Sequence, residues 1–109
     1  MPAAKSRRER LPNRRRSETF SLQFCGLRYT ATASWFLDGR LGELFLGNHK
    51  SDSAADVNAR DAAIILSIAL QFGADIETIR KALSRDSHGR PSGVLGAALD
   101  QIGISHDHR

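Results

Sequence analysis

Ala62-Ala63-Ile64-Ile65-Leu66-Ser67-Ile68-Ala69-Leu70-Gln71-Phe72 is the stretch whose reading decides the fold. Only Ser67 and Gln71 are polar, and they stand four apart, one above the other on a helix. Asp56 and Arg60 extend that line towards the N-terminus at helical spacing, which leaves one thin polar stripe on an otherwise apolar cylinder. The reading predicts a central buried helix, covered on most of its circumference, with the stripe left wet. The run is too short, and too polar before Ala62, to span a membrane.

Working outward, Ser53 is a candidate N-cap with Asp56 three residues on, in capping-box position. Gly73 supplies a left-handed stop, so the helix is expected over about 54–72. Asp75 or Ala74 caps a second helix in which Ile76, Ile79 and Leu83 share a face. A third short helix carries Val94, Leu95, Ala98, Leu99 and Ile102 and is expected to end at Gly103.

Upstream, the period changes to two. Phe20, Leu22 and Phe24 alternate with Thr19, Ser21 and Gln23, and Leu27, Tyr29, Ala31, Ala33 and Trp35 alternate with Arg28, Thr30, Thr32 and Ser34. A tip at Cys25-Gly26 sets Phe24 opposite Leu27, Leu22 opposite Tyr29 and Phe20 opposite Ala31. Cysteine is costly where positive φ is wanted, so a bulge is expected at that tip. Leu37-Asp38-Gly39-Arg40 marks a second turn, which pairs Ala33 with Leu44 and Ala31 with Leu46. A third strand then covers about 42–47, with Glu43 and Phe45 on the outer face. Strands first and helices afterwards give an α+β fold: a three-stranded antiparallel meander, a long helix lying on its apolar face, and two shorter helices, in the order β-β-β-α-α-α.

At 109 residues and a net charge of +4, the chain suits one domain with a modest core, too small for a catalytic machine with its own cofactor domain. The charge is concentrated at one end. Residues 1–16 hold Lys5, Arg7, Arg8, Arg10, Arg14, Arg15 and Arg16 against Glu9, a surplus of +6, so the remainder is mildly acidic at −2. The expected organisation is a disordered arginine-rich arm over 1–16, an α+β domain over 17–103 and a frayed tail over 104–109. The arm is either a solubilising terminus or a contact to phosphate-bearing material, nucleic acid or another partner, through Arg7, Arg8, Arg10, Arg14, Arg15 and Arg16. No aromatic residue interleaves with the arginines, so base stacking is not indicated. A basic start with no apolar run after it is not a secretory signal, and the expected location is cytoplasmic.

Chemistry is sparse. The single Cys25 excludes an intramolecular disulfide, a redox pair and a cysteine-rich zinc site, and its hairpin position offers no base for nucleophilic catalysis. His106-Asp107-His108 defines no metal geometry. No catalytic residue, metal site or cofactor is therefore assigned. Two loops are candidates for a phosphate or nucleotide. One is Ser84–Gly93, with Arg85, His88, Arg90 and Ser92 ahead of a helix start, where free N–H groups and guanidinium forks meet. It has neither the Gly-Lys-Ser/Thr ending of a Walker loop nor a dinucleotide fingerprint. Its alternative is a solvated connector whose arginines pair with Asp86 or Asp100. The other loop is Asn48–Ser53 with His49 and Lys50, which also reads as a plain capping loop. If both lie at one end of the domain they form one polar rim.

Several blocks occur in order: Leu11-Pro12-Asn13-Arg14-Arg15, Ser17-Glu18-Thr19-Phe20, Asp38-Gly39-Arg40, Gly42-Glu43-Leu44-Phe45-Leu46, Ser67-Ile68-Ala69-Leu70-Gln71-Phe72-Gly73 and Arg90-Pro91-Ser92-Gly93. Together they resemble the TSCPD domain, the C-terminal region of adenosylcobalamin-dependent (class II) ribonucleotide reductases, over about residues 11–102. The resemblance implies the fold and an association with reductase or nucleotide. In that family a separate barrel supplies the active-site cysteines and the cobalamin, and the cysteine-bearing motif that names the domain is missing here. The expectation is a stand-alone, non-catalytic accessory in deoxyribonucleotide synthesis or nucleotide binding. The alternatives are a small nucleic-acid-binding protein that uses the arm, and a homo-oligomeric module pairing through a sheet edge or through Phe36 and Phe45, a homodimer being the simplest form.

Overall fold

The computed structural model describes residues 7–107, with side chains described for residues 7–103. Strands β1 (Ser17–Phe24), β2 (Leu27–Trp35) and β3 (Leu41–Asn48) precede helices α1 (Ala54–Gln71), α2 (Ile76–Ala82) and α3 (Val94–Asp107). The sheet is antiparallel in the order β1-β2-β3, so the α+β class and the element order are as the sequence predicts.

The registers also follow the alternation. Phe24 faces Leu27, Leu22 faces Tyr29 and Phe20 faces Ala31; Ala33 faces Leu44 and Ala31 faces Leu46. A one-residue slip would turn every apolar side chain out to water, so burial of one face fixes the pairing. The β1–β2 tip is tighter than expected. Cys25 (φ 52°) and Gly26 (φ 74°) both occupy the left-handed region, and the pairing runs to Phe24–Leu27 without a bulge. A two-residue turn with both centres at positive φ twists with the strands, and that match outweighs the cost of a cysteine there. The irregularity lies at the other end, where Ser34 pairs with Glu43 but Trp35 pairs with Leu41. Gly42 is the extra residue, and glycine is required: a Cβ there would sit 2.7 Å from Leu11 Cδ2 and 2.8 Å from Phe36 Cε2.

The caps are those read from the sequence. Ser53 accepts from the Asp56 N–H, and Asp75 accepts from the Thr78 N–H. Gly73 (φ 95°) ends α1, with the Ala74 N–H on Ala69 O and the Gly73 N–H on Leu70 O, which satisfies two terminal carbonyls. Helix α3 does not stop at Gly103 but runs to Asp107. A Cβ at Gly103 would meet the Arg80 guanidinium of α2 at 3.8 Å, an ordinary van der Waals contact, so packing does not demand glycine there.

The main correction concerns α1. It does not lie under cover on the sheet face. It runs alongside β3, and Ile64, Ile65 and Ile68 are 43%, 68% and 38% exposed. Its buried line is Asp56, Ala59, Ala63, Leu66, Ser67, Leu70 and Gln71, so the stripe expected to stay wet is largely buried. The reason lies in the edge of β3. Ser67 Oγ accepts from the Leu44 N–H (2.9 Å) and is 3.0 Å from Leu44 O. Gln71 Nε2 donates to Gly42 O (2.9 Å), and Asp56 Oδ1 accepts from the Asn48 N–H (3.0 Å). Backbone groups of an edge strand that would otherwise be buried without partners are thereby satisfied, and Ala59 and Ala63 let the helix approach closely. With α1 at the edge, α3 contributes Ala98, Leu99 and Ile102 to one cluster with Leu22, Tyr29, Ala31, Ala33, Leu44 and Leu46.

Candidate functional site

Residues 8–16 have partners that their composition did not announce. The Glu9 N–H donates to Gln71 O (2.7 Å), and the Arg8 guanidinium donates to Gln71 Oε1. Leu11 presses on Gly42, Arg15 pairs with Glu43 (3.3 Å), and Arg16 lies over the Trp35 ring, 4.1 Å from its centroid. Glu9 reaches Arg40 (3.1 Å), which Asp38 also holds (2.7 Å) and which covers Phe36. Those two carboxylates raise the Arg40 pKa, Asp38 contributing most. Of the six arm arginines, Arg7, Arg10 and Arg14 are exposed and make no side-chain hydrogen bond or ion pair among the described residues. Residues 1–6, Lys5 included, lie outside the described residues.

The loop between α2 and α3 is a closed structure. Arg85 pairs in β-bridge fashion with Pro91, the Asp86 N–H donates to Arg90 O, and the Ser92 N–H donates to Ser84 O. The Asp86 carboxylate accepts from the His88 N–H (2.8 Å), the Arg90 N–H (2.9 Å) and Arg90 Nε (3.2 Å). These donors, the Arg90 backbone N–H first, hold the Asp86 pKa below its ordinary value. Asp86 thus occupies the cluster of donors that a phosphate would use. Arg85 grips Asp100 with both terminal nitrogens (2.9 and 2.8 Å), and Arg80 Nε reaches the same carboxylate (2.8 Å). Two guanidiniums on one carboxylate, Arg85 foremost, pull the Asp100 pKa down to about 2. The sequence alternative for this loop, arginines paired with Asp86 and Asp100, describes what the structure contains.

The loop after β3 is organised around Asp56. Its carboxylate accepts from the Asp52 N–H (2.9 Å) and pairs with Arg60, besides holding Asn48. The Asp56 pKa is lowered accordingly, the Asp52 backbone bond leading. The capping-box role is shifted by one residue: the Asp56 side chain serves Asp52 and β3 rather than the N–H of Ser53. His49 Nε2 lies 3.5 Å from the Thr30 hydroxyl, and the Lys50 N–H donates to Asn48 Oδ1 (2.8 Å). No hydrogen bond or ion pair joins His49 or Lys50 to Arg85, His88, Arg90 or Ser92 among the described residues.

Sequence reasoning missed the triad Arg80–Asp100–Arg85 as a unit, because its members are 15 and 20 residues apart and no local period links them. Beside it, Trp35, Leu41, Ile76, Leu99 and Ile102, rimmed by Glu77 and Arg80, enclose a hollow of about 170 Å³. Among the described residues no group of three His, Cys, Asp or Glu side chains could hold a metal ion, and no helix is long and apolar enough to cross a membrane. His106 and His108 lie outside the described side chains. Cys25 is exposed at the β1–β2 tip.

Comparison with known proteins gives the site its context. The chain is 35% identical over 77 residues to a vitamin B12-dependent ribonucleotide reductase of Agrobacterium fabrum, a match covering 71% of this chain. This chain is similar to part of a B12-dependent reductase. Proteins of the same description from Rhodopirellula baltica (35% over 86 residues, 79% of this chain) and Bradyrhizobium diazoefficiens (33% over 70 residues, 64%) match likewise. The chain spans only 6–8% of the length of these curated relatives. No family model and no solved structure matches it.

Proposed function

We propose that the chain is a TSCPD-type domain acting as a non-catalytic accessory beside a B12-dependent ribonucleotide reductase, in deoxyribonucleotide synthesis in the cytoplasm. One observation carries this reading: the likeness takes in most of this chain but a short region of much longer reductases. A shared region of that size suits a contact module rather than a radical-generating barrel. The single thiol, Cys25, is consistent with it, since a dithiol reduction needs two.

Within this reading the arm faces an acidic partner or nucleotide phosphates, because Arg7, Arg10 and Arg14 offer charge that no described carboxylate neutralises. His49 and Lys50 are the second contact. Arg85, His88, Arg90 and Ser92 take an anion only if it displaces Asp86 or Asp100. The test immobilises the full chain over purified B12-dependent reductase and runs a thermal-shift screen of ribo- and deoxyribonucleotides on intact protein and protein lacking residues 1–16. Capture of reductase, or a melting shift that the truncation abolishes, is expected; neither capture nor shift overturns the reading.

A second reading, nucleic-acid binding through the arm, is favoured by the same three arginines. It requires duplex affinity that falls steeply between low and physiological salt and disappears with residues 1–16. Affinity flat in salt rejects it.

A further inference from the structure

The two edges of the sheet differ, and the open one reads as a pairing surface. The Trp35 N–H donates to Arg16 O (3.1 Å), and Phe24 pairs with Leu27 across a two-residue turn. Even-numbered residues of β1 therefore bond to β2, while Ser17, Thr19, Ser21 and Gln23 direct their backbone groups outward. No described residue meets those outward groups, and all four residues are exposed. Among the described residues β1 has no proline, no lysine and no bulge in its pairing with β2, and Glu18 is its one charge.

We propose that β1 pairs antiparallel with β1 of a second copy, joining two meanders into one six-stranded sheet. The strand is self-complementary. Outward backbone groups meet only when odd residues oppose odd ones, which places the two-fold at Phe20 or Ser21, near the strand centre. With the two-fold at Phe20, Thr19 meets Ser21 and Ser17 meets Gln23 on one face, while Phe20 meets Phe20 and Glu18 meets Leu22 on the other; with it at Ser21, Ser21 meets Ser21 and Thr19 meets Gln23, while Phe20 meets Leu22 and Glu18 meets Phe24. Glu18, the only charge on β1, never faces its own copy. Phe20 and Phe24, only half-buried in one copy, gain cover. An edge contact of this kind falls below about 1,200 Å² of buried surface, so the dimer is a weak, concentration-dependent one.

Sedimentation of the full chain from about 10 µM to about 1 mM tests this, alongside amide exchange at both ends of the range. The mass is expected to rise from one copy towards two. The Thr19, Ser21 and Gln23 amides should exchange about tenfold more slowly at the high concentration, while their even-numbered neighbours stay protected throughout. Ser21→Lys sets two ammonium groups at or beside the two-fold and should leave a single copy at every concentration. Ser21→Pro, which removes only an outward N–H, should do the same and serves if the lysine variant misfolds. A single copy at all concentrations in the native chain overturns the proposal. So does a dimer that survives both Ser21 variants and is lost in Ile65→Lys, which would place the contact on α1. Odd-numbered amides whose exchange ignores concentration overturn it as well.

Discussion

The edge of β3 and the edge of β1 solve the same problem in opposite ways. Along β3, a helix brings one side chain for each outward group it serves: Gln71 for Gly42, Ser67 for Leu44, Asp56 for Asn48. Along β1, the described residues leave the equivalent groups to solvent. A polar stripe on an apolar helix is thus not a sign that the stripe is wet. It can mark the line on which a helix completes a sheet. The apolar residues that the stripe displaces from the interface, Ile64, Ile65 and Ile68, then face outward.

The contrast can be broken first at its closed side. Ser67→Val leaves the Leu44 N–H buried without a partner and removes the one hydroxyl proton shared between Ala63 O (2.8 Å) and Leu44 O (3.0 Å), and a loss of about 2–4 kcal/mol in denaturant-derived stability is expected. A loss below that of an exposed substitution such as Ile65→Lys would mean that α1 is held by its apolar residues alone. Gln71→Leu removes the bond to Gly42 O and the anchor for Arg8, and should cost about 1–3 kcal/mol and loosen residues 8–16, read by proteolysis after arginine.

Acid probes the charge cluster in which Asp100 of α3 holds Arg80 of α2 and Arg85 of the following loop. Asp100 is held at about 2 in the folded chain, below its ordinary 3.8, so it contributes stability above about pH 4 that is lost as the pH falls towards 2. Allowing for solvent at these arginines, about 1–2 kcal/mol should go over that window, and Asp100→Asn should flatten it. Thermal melts at stepped pH report both.

The smallest effects belong to the open side. Cys25→Asn suits two consecutive positive φ values better and should stabilise by about 0.5 kcal/mol, checked by melting temperature. Ser21→Lys should shift the stability of the single copy by no more than about 0.5 kcal/mol, because nothing in that copy uses its outward backbone. A large loss there would show that β1 is covered after all.

What was legible depended on the range of the interaction. Ser53, Gly73 and Asp75 were read from neighbours within four residues, and the strand registers from a strict alternation that tolerates no slip. From sequence the Ser84–Gly93 loop reads as either an anion site or a solvated connector whose arginines pair with Asp86 or Asp100. Choosing needed the position of Asp100 relative to Arg85, fifteen residues away. The arm shows the same limit: its arginines were obvious, but Arg8 meeting Gln71 spans 63 residues and leaves no local trace.

By itself the sequence determined three paired strands followed by three helices, with the N-caps of the first two, because alternation, turn glycines and caps act within a few residues and each has a strong steric or hydrogen-bonding cause. The likeness to a reductase region was also carried by residues in order. Only the tertiary structure decided which side of the long helix is buried. That choice turns on where the helix sits beside the edge of β3, and on whether its serine, glutamine and aspartate find backbone groups to satisfy, which is a matter of contacts between residues far apart in the chain.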